Sequence, residues 1–240
     1  MADPLFLLAA FVSAIVGTVV GFGSSTIFQP LALFFVDFRT ALVLVAIFHI
    51  FSNASRLMFF HSGVDKKMLV RFGVPSVVAT VAGALLVAYV SAGAFKLLLG
   101  IFLILFSASA FTNHRFVIRE TGRNEFVGGV LSGFLAGLVG TGGALRGAFL
   151  TGFGMRKERY VATASAIALG VDIVRIPVYI TSGFLGAQHY ATIPFLFVLA
   201  FVGTYVGKLV VQRVSQQTFK TLVLAALALI GMKFILDAVA

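Results

Sequence analysis

Residues 21–30 read GFGSSTIFQP and interrupt a long apolar segment that runs from residue 4 to residue 36. The glycines on either side of Phe22 permit a tight reversal of the backbone, and the residues that follow supply hydroxyl groups. A second apolar segment, residues 126–155, is interrupted in the same way by the sequence GTGG of residues 140–143. Within a membrane, such irregular backbone is tolerated only where it is buried in protein or lines a wet cavity.

The composition places these segments in a membrane. Of the 240 residues, 60% are hydrophobic and 11% are charged, and the mean hydropathy is +1.09. Soluble domains carry roughly a quarter charged residues, so an ordinary soluble fold is excluded. Cysteine is absent, which excludes disulfides and cysteine-ligated metals. The net charge of +10 comes from Lys and Arg clustered in loops, as membrane topology requires, so we expect no nucleic-acid partner.

The chain repeats itself at a shift of 119 residues, which aligns residues 13–56 with the second half without a gap. Matches between apolar residues arise easily by chance, whereas glycine pairs, a polar residue three before an arginine, and proline are rarer. The matches of this rarer kind are Gly21 and Gly23 with Gly140 and Gly142, Asn53 and Arg56 with Asp172 and Arg175, and Pro75 with Pro194. We therefore predict a first repeat at 1–112, a polar cytoplasmic linker at 113–125 and a second repeat at 126–240.

Each predicted repeat contains the glycine-broken segment followed by three further apolar segments. These segments lie at about 40–60, 69–90 and 94–111 in the first half and at about 160–180, 190–211 and 218–239 in the second. All are expected to be helical, because no backbone polar group can face lipid unpaired. The sequence thus predicts an all-α polytopic membrane protein.

The basic residues decide between two topologies. They cluster in four loops: Lys66, Lys67 and Arg71; Arg115, Arg119 and Arg123; Arg156, Lys157 and Arg159; Arg213 and Lys220. If each broken segment crossed the membrane, giving eight spans, the second and third loops would lie on opposite sides, against the positive-inside rule. If each broken segment is a re-entrant hairpin, all four loops are cytoplasmic and both termini lie outside. Three full spans per half then make the second repeat inverted, and we favour this model over eight spans.

The hairpins also predict a binding site. Their second arms, about 24–35 and 143–154, are too short to cross the membrane. The N-termini of these arms would direct free N–H groups and positive dipole ends toward the membrane middle, where they favour an anion. The other glycines have a simpler interpretation as helix-packing residues at small-xxx-small spacing, namely Gly129, Gly133 and Gly137, Gly203 with Gly207, and Gly17 with Gly21.

Ionisable residues within spans are costly and usually functional. Asp172 is the only acid well inside an apolar segment, where it accompanies Arg175 three residues away. The two form either a structural pair or an anion site, and we favour anion binding by Arg175, because Asn53 shows that an amide is accepted beside the equivalent Arg56. Arg146, one turn into a hairpin arm, is expected to bind substrate or to gate. His49 is interpreted as an interior histidine, and Arg56 either snorkels to its helix end or joins the site.

The sequences GFGSSTIFQP at 21–30 and GLVGTGG at 137–143 resemble those of the TauE/SafE family of membrane permeases, and the resemblance extends over essentially the whole chain. It implies export or uptake of sulfite and organosulfur anions such as sulfonates.

The sequence therefore predicts a secondary transporter of a small sulfur-containing oxyanion, and we favour export over import. The transporter is expected to lie in the inner membrane of the cell and to work by alternating access. The alternative is a membrane scaffold or partner subunit without transport activity. The sequence contains no P-loop, zinc-protease motif or nucleophile elbow. We therefore expect that the protein is not an enzyme, that it does not use ATP directly and that it binds no cofactor. The expected partners are the anion and the lipid bilayer, and the sequence leaves open whether the chain forms a homo-oligomer. The predicted substrate-binding residues are Gly21, Gly23, Ser24, Ser25, Thr26, Gln29, Asn53, Arg56, Gly140, Thr141, Gly142, Gly143, Arg146, Asp172 and Arg175.

Overall fold

The computed structural model describes residues 3–20, 23–59, 63–112, 118–210 and 216–239. Over these ranges the chain forms ten helices and no strand. In the first half they are α1 (Pro4–Val20), α2 (Ser24–Ala32), α3 (Phe38–Phe59), α4 (Lys66–Tyr89) and α5 (Ala92–Thr112). In the second half they are α6 (Gly122–Val139), α7 (Gly143–Gly152), α8 (Lys157–Thr181), α9 (Ala187–Val210) and α10 (Gln216–Val239). Helix α4 includes a π-helical turn, Leu69–Gly73.

The lengths of the helices agree with the predicted division into full spans and broken segments. Within the described ranges, α3, α4, α5, α8 and α9 are long and apolar enough to cross a membrane, and each coincides with a predicted full span. Helix α10 occupies the place of the sixth. Helices α2 and α7 have 9 and 10 residues, so each is about 15 Å long, half of the ~30 Å hydrocarbon core. The expectation of an all-α, multi-pass membrane protein is confirmed.

Both glycine-broken segments fold back on themselves. In the first, the rings of Phe6 and Phe28 lie 5.2 Å apart, and a Cβ atom on Gly17 would lie 2.5 Å from Cα of Ser24. These contacts place α2 antiparallel alongside α1. In the second, Gly128 of α6 lies against the ring of Phe149 of α7, 2.6 Å from its Cβ position. Each segment is therefore a hairpin in space rather than one straight helix.

The second arms of the hairpins are shorter than the sequence predicted. Helix α2 ends at Ala32 rather than near residue 35, because the N–H groups of Phe34 and Phe35 bond to carbonyls three residues back, in tight turns. Helix α7 ends at Gly152 and is followed by a turn through Gly154, whose φ is +77°.

The last residues of the predicted polar linker are helical, while its beginning, residues 113–117, lies outside the described residues. Helix α6 begins at Gly122 rather than at residue 126, because the hydroxyl of Thr121 accepts the N–H of Asn124 at 3.3 Å and caps the helix. Glu125, predicted to lie in the linker, is buried on this helix.

Equivalent helices of the two halves pack together. Helix α3 packs on α8 and α5 on α10, while α1 packs on α9 and α6 packs on α4. Helices α3 and α8 run antiparallel, since Thr40 donates to the carbonyl of Phe184 near one end and His49 bonds to Asp172 near the middle. This is the arrangement that inverted repeats would produce, with two pairs of equivalent helices on a common axis.

Most of the small-xxx-small glycines are packing residues, as predicted. Gly129, Gly133 and Gly137 lie against α4, where a Cβ atom on any of them would overlap the carbonyl oxygens of Phe72, Ser76 and Thr80 respectively. Gly203 and Gly207 approach the carbonyls of Phe11 and Ile15 on α1 in the same way, at 3.0 and 2.9 Å from their Cβ positions. Two pairs of helices thus approach closely along glycine faces.

Three predicted basic regions lie at one end of the molecule. Asp65, just before α4, pairs with Arg159 of α8 at 3.0 Å, and its N–H donates to Thr163. Lys67 pairs with Glu120 of the linker at 2.9 Å. The eight-span alternative requires the loops at 66–71 and 156–159 to lie on opposite sides of the membrane. The ion pair between them is incompatible with that alternative and fits the hairpin model.

Candidate functional site

The two hairpins meet in the buried middle of the molecule. The Cβ position of Gly23 lies 3.9 Å from Cα of Gly143 and 3.5 Å from Nε2 of His49. We call the region around Gly23, Thr26, Thr141 and Gly143 the hairpin junction. Helices α2 and α7 both begin here, and their N-cap residues are Gly23 and Gly142, which have no side chain with which to cap them. The first N–H groups and the positive dipole ends of two helices are thereby brought to one place.

Hydroxyl groups join the two hairpins at the junction. Thr141 donates to Thr26 at 2.9 Å, linking the turn of one hairpin to the helix of the other. Ser24 donates to Ser52 of α3 at 3.2 Å, and Ser52 lies 3.3 Å from the hydroxyl of Thr204 on α9. Ser25 is also buried. The predicted hydroxyl lining is therefore assembled from both halves of the chain.

Three polar side chains near the junction have buried atoms without a hydrogen-bond partner among the described residues. They are Nε2 of His49, both amide atoms of Gln29 and Nη1 of Arg146. Their residues are 3%, 0% and 4% exposed. Buried polar atoms in native proteins are nearly always hydrogen-bonded, so such a group of atoms around two helix N-termini is typical of a site for a polar ligand.

The side chains of His49, Gln29 and Arg146 reach the junction from α3, α2 and α7 respectively. Arg146 lies in the first turn of α7 and interacts electrostatically with His49 and Asp172. Gln29 lies on α2, and its Oε1 is 2.6 Å from the Cβ position of Gly140. Tyr160 of α8 lies within electrostatic range of both Arg146 and Arg56.

Asp172 and Arg175 form a buried ion pair. Arg175 donates from Nε and Nη2 to Oδ1 of Asp172 at 2.9 and 2.8 Å, and from Nη1 to the carbonyl of Ala136 at 2.6 Å. Ala136 lies in the last turn of α6, where a cation is favourable. Tyr179 donates to the neighbouring carbonyl of Gly137. The sequence favoured anion binding by Arg175, but these contacts engage its guanidinium in holding the end of α6.

Arg56 holds the equivalent place in the first half. It donates to the hydroxyl of Thr18 in the last turn of α1 at 3.4 Å and to Oδ1 of Asn53 at 3.5 Å. Asn53 in turn donates to the carbonyl of His49 at 2.8 Å. Arg56 is 6% exposed, so it does not snorkel to the surface, and its contact with Thr18 places it at the end of the first hairpin arm, next to the turn.

The predicted site glycines divide into two kinds. Gly23 and Gly140 have φ of +87° and +81°, the left-handed region that favours glycine, and both lie at the junction. Gly142 has an ordinary φ of −112°, but a side chain there would overlap the carbonyl oxygen of Ser132. Gly142 is therefore a packing residue. Gly21 lies outside the described residues.

His49 is the residue whose place the sequence did not reveal. Its Nδ1 lies 2.8 Å from Oδ2 of Asp172, which is 123 residues away in the chain. It has no matching polar residue in the second half, where Ala168 occupies the equivalent position. Its location within an apolar segment was the only available signal.

The comparisons with known proteins agree with the membrane assignment. A family model described as "Sulfite exporter TauE/SafE" matches residues 5–234. A protein of Methanocaldococcus jannaschii described as a probable membrane transporter is 26% identical over 257 residues, which cover 97% of this chain and 95% of that protein.

Proposed function

The chain belongs to the sulfite exporter TauE/SafE family and is a multi-pass membrane transporter, and we propose that it exports a small sulfur-containing oxyanion, such as sulfite or an organosulfonate, by alternating access. The observation that carries the choice of an anion is the hairpin junction, where two helix N-termini meet. The first turn of α7 carries the buried Arg146, whose Nη1 has no partner among the described residues. The sulfur chemistry and the outward direction follow the description of the family.

The charges around the junction favour an anion. Asp172, the acid near it, already pairs with Arg175, and the described part of the chain holds no ion pair to Arg146. Helix N-termini add partial positive charge and N–H donors. A tetrahedral or pyramidal oxyanion offers several acceptors, which suit a guanidinium fork, backbone N–H groups and the hydroxyls of Thr26 and Thr141. In this account Arg146 is the principal charged ligand of the anion.

Alternating access is supported by the division of the site between the two halves. The first half contributes α2 and His49, and the second contributes α7 and Arg146. The first residues of both helices, His49 and Arg146 are buried, so the protein must open for the anion to enter, and movement of the two halves relative to one another would open it. The pairs of equivalent helices, α3 with α8 and α5 with α10, provide the surfaces about which two repeats would rock.

A thermal-shift screen of the purified protein tests this proposal. The probes are sulfite, sulfate, thiosulfate, sulfoacetate and taurine, with chloride at equal ionic strength as the control. A ligand that binds only the folded protein stabilises it, by about 2.7 kcal/mol at a concentration one hundred times its Kd. We expect at least one sulfur oxyanion to raise the unfolding temperature and Arg146→Gln to abolish the shift. Absence of any shift would contradict the proposed substrate class.

A further inference from the structure

We propose that His49 binds a proton at the hairpin junction and that this proton and the transported anion bind together. The inference rests on the proposed anion site and deepens it, because it states what accompanies the anion. The transporter would then carry each anion with one negative charge fewer than the anion has in solution.

The geometry around the imidazole ring fixes which nitrogen is available. Nδ1 of His49 lies 2.8 Å from Oδ2 of Asp172, and a carboxylate oxygen accepts a hydrogen bond, so Nδ1 carries a hydrogen. Arg175 holds the other oxygen of the same carboxylate at 2.8 Å, which keeps the ring in one orientation. Nε2 is therefore the ring atom that can gain and lose a proton. It is buried, it has no partner among the described residues, and it lies 3.5 Å from the Cβ position of Gly23.

The charged groups around His49 favour its protonation only when an anion is bound. Helix α8 presents Asp172 and Arg175, whose charges compensate each other, and α7 presents Arg146. Two turns along α3 itself, Arg56 is bonded to Asn53 and Thr18. Helices α1 and α2 contain no titratable side chain. Helix α9 presents the hydroxyl of Thr204 through Ser52, while its Lys208 lies over the ring of Phe59, farther along α3.

Two interactions then couple proton and anion. While the site holds no anion, the positive charge of Arg146 opposes a second positive charge on His49. An anion beside Arg146 removes that opposition. A neutral His49 also presents the lone pair of Nε2, and a lone pair repels an anionic oxygen, whereas a proton between the two atoms makes a hydrogen bond. The proton taken up from solvent resides on Nε2 or on the anion's oxygen, and the count is one in either case. By linkage, the proton raises the affinity for the anion by the same factor as the anion raises the affinity for the proton.

Two substitutions separate the two nitrogens of the ring. His49→Gln places an amide near the position of Nε2, where it can donate to an anion but cannot titrate. His49→Asn places an amide near the position of Nδ1, where it can donate to Asp172 but leaves nothing at Nε2. The probe is methanesulfonate, which stays fully ionised across the range from about pH 5 to 8 in which histidine titrates. Sulfite, which titrates itself, is measured alongside.

Isothermal titration calorimetry of the full-length protein measures affinity and, from two buffers of different protonation enthalpy, proton uptake. We expect the wild-type affinity for methanesulfonate to fall by about tenfold per pH unit above the titration of His49, with uptake approaching one proton. His49→Gln should bind with an affinity independent of pH and without uptake, and His49→Asn should bind weakly throughout. For sulfite, the wild type should take up one proton more than His49→Gln.

The outcomes distinguish the two proposals. Wild-type binding without proton uptake, or the same pH dependence in His49→Gln, would overturn the role of His49 and leave the anion site standing. The absence of wild-type proton uptake would overturn the proposal even if neither variant folds. Failure of the wild type to bind either anion at any pH would instead contradict the proposed function itself.

Discussion

Two buried arginines of the second half differ in what surrounds them. Arg175 is held by the carboxylate of Asp172 and the carbonyl of Ala136, whereas Nη1 of Arg146 has no partner among the described residues. Removing one member of a buried ion pair leaves the other charge buried without compensation, which destabilises the folded protein. Removing a buried charge that has no ion-pair partner instead removes the desolvation penalty of that charge. The two arginines should therefore affect different properties of the protein.

Arg146→Gln and Arg175→Gln form a matched pair of variants. We expect Arg146→Gln to keep the stability of the wild type and to lose the thermal shift produced by a sulfur oxyanion. Arg175→Gln should lower the free energy of unfolding by about 3–5 kcal/mol, because it leaves the carboxylate of Asp172 buried with one fewer partner. Folded yield in detergent and unfolding temperatures, with and without sulfite, measure both effects. A stable Arg175→Gln that no longer binds sulfite would give the binding role to Arg175 instead.

The pair with Asp172 predicts a further result for the double variant. Asp172→Asn combined with Arg175→Gln removes both charges, and replacing both members of a buried pair is often nearly neutral. The double variant should therefore be more stable than Arg175→Gln alone, which a double-mutant cycle of unfolding temperatures would show. Losses that simply add in the double variant would mean that the two residues act independently, in conflict with their 2.8 Å contact.

At the scale of helices and turns, the two glycine-broken segments use glycine for different reasons. Gly23 has a φ of +87° and space for a methyl group, with Nε2 of His49 3.5 Å from its Cβ position. Gly142 has an ordinary φ, but a methyl group would overlap the carbonyl oxygen of Ser132 on α6. The first glycine shapes the junction, and the second allows α7 to pack on α6.

Alanine at each turn separates these roles. Gly23→Ala costs about 1–3 kcal/mol of backbone strain, and we expect it to insert and fold while transport falls strongly, because the added methyl group narrows the junction beside His49. Gly142→Ala should lower the folded yield, because a carbonyl oxygen in a packed helix cannot move aside. Folded yield by size-exclusion chromatography and sulfite flux are the measurements. Wild-type flux in Gly23→Ala would show that this turn is only a connection.

Much of the fold at this scale follows from the sequence, for a physical reason. A helix that crosses lipid must be long and apolar, so the full spans can be predicted from the local composition of the sequence. The ends of α3 and α8 accordingly fall within a few residues of the predicted ones. The reversals at Gly23 and Gly140 are likewise local, since glycine alone adopts them readily. Contacts across the repeats are not local. The bond from His49 to Asp172 joins residues 123 apart, and no pattern of residues within either apolar segment predicts this contact.

At the scale of the whole molecule, the two halves are tied at the end where three of the four predicted basic loops lie; Arg213 of the fourth lies outside the described residues. Asp65 of the first half pairs with Arg159 of the second, and Lys67 pairs with Glu120. The positive-inside rule assigns this end to the cytoplasm. If the halves rock to admit the anion, these contacts separate during each cycle.

A reversible cross-link tests this movement, and the absence of native cysteine makes the test clean. Asp65→Cys and Arg159→Cys, joined by a short thiol-specific linker, should abolish transport while leaving the protein folded, and reduction of a cleavable linker should restore it. The single-cysteine variants, treated in the same way, are the controls. Unchanged flux in the cross-linked protein would show that this end stays closed throughout the cycle and would require another route for the anion.

The most direct measurement of the central claim, that the hairpin junction carries a sulfur oxyanion across the membrane, is flux from proteoliposomes. Liposomes loaded with labelled sulfite would contain the wild type, Arg146→Gln at the same amount of folded protein, or no protein. We expect sulfite to leave the wild-type liposomes severalfold faster than empty ones and to leave Arg146→Gln liposomes no faster than empty ones. Equal efflux from wild-type and Arg146→Gln liposomes, or wild-type efflux no faster than from empty liposomes, would contradict it.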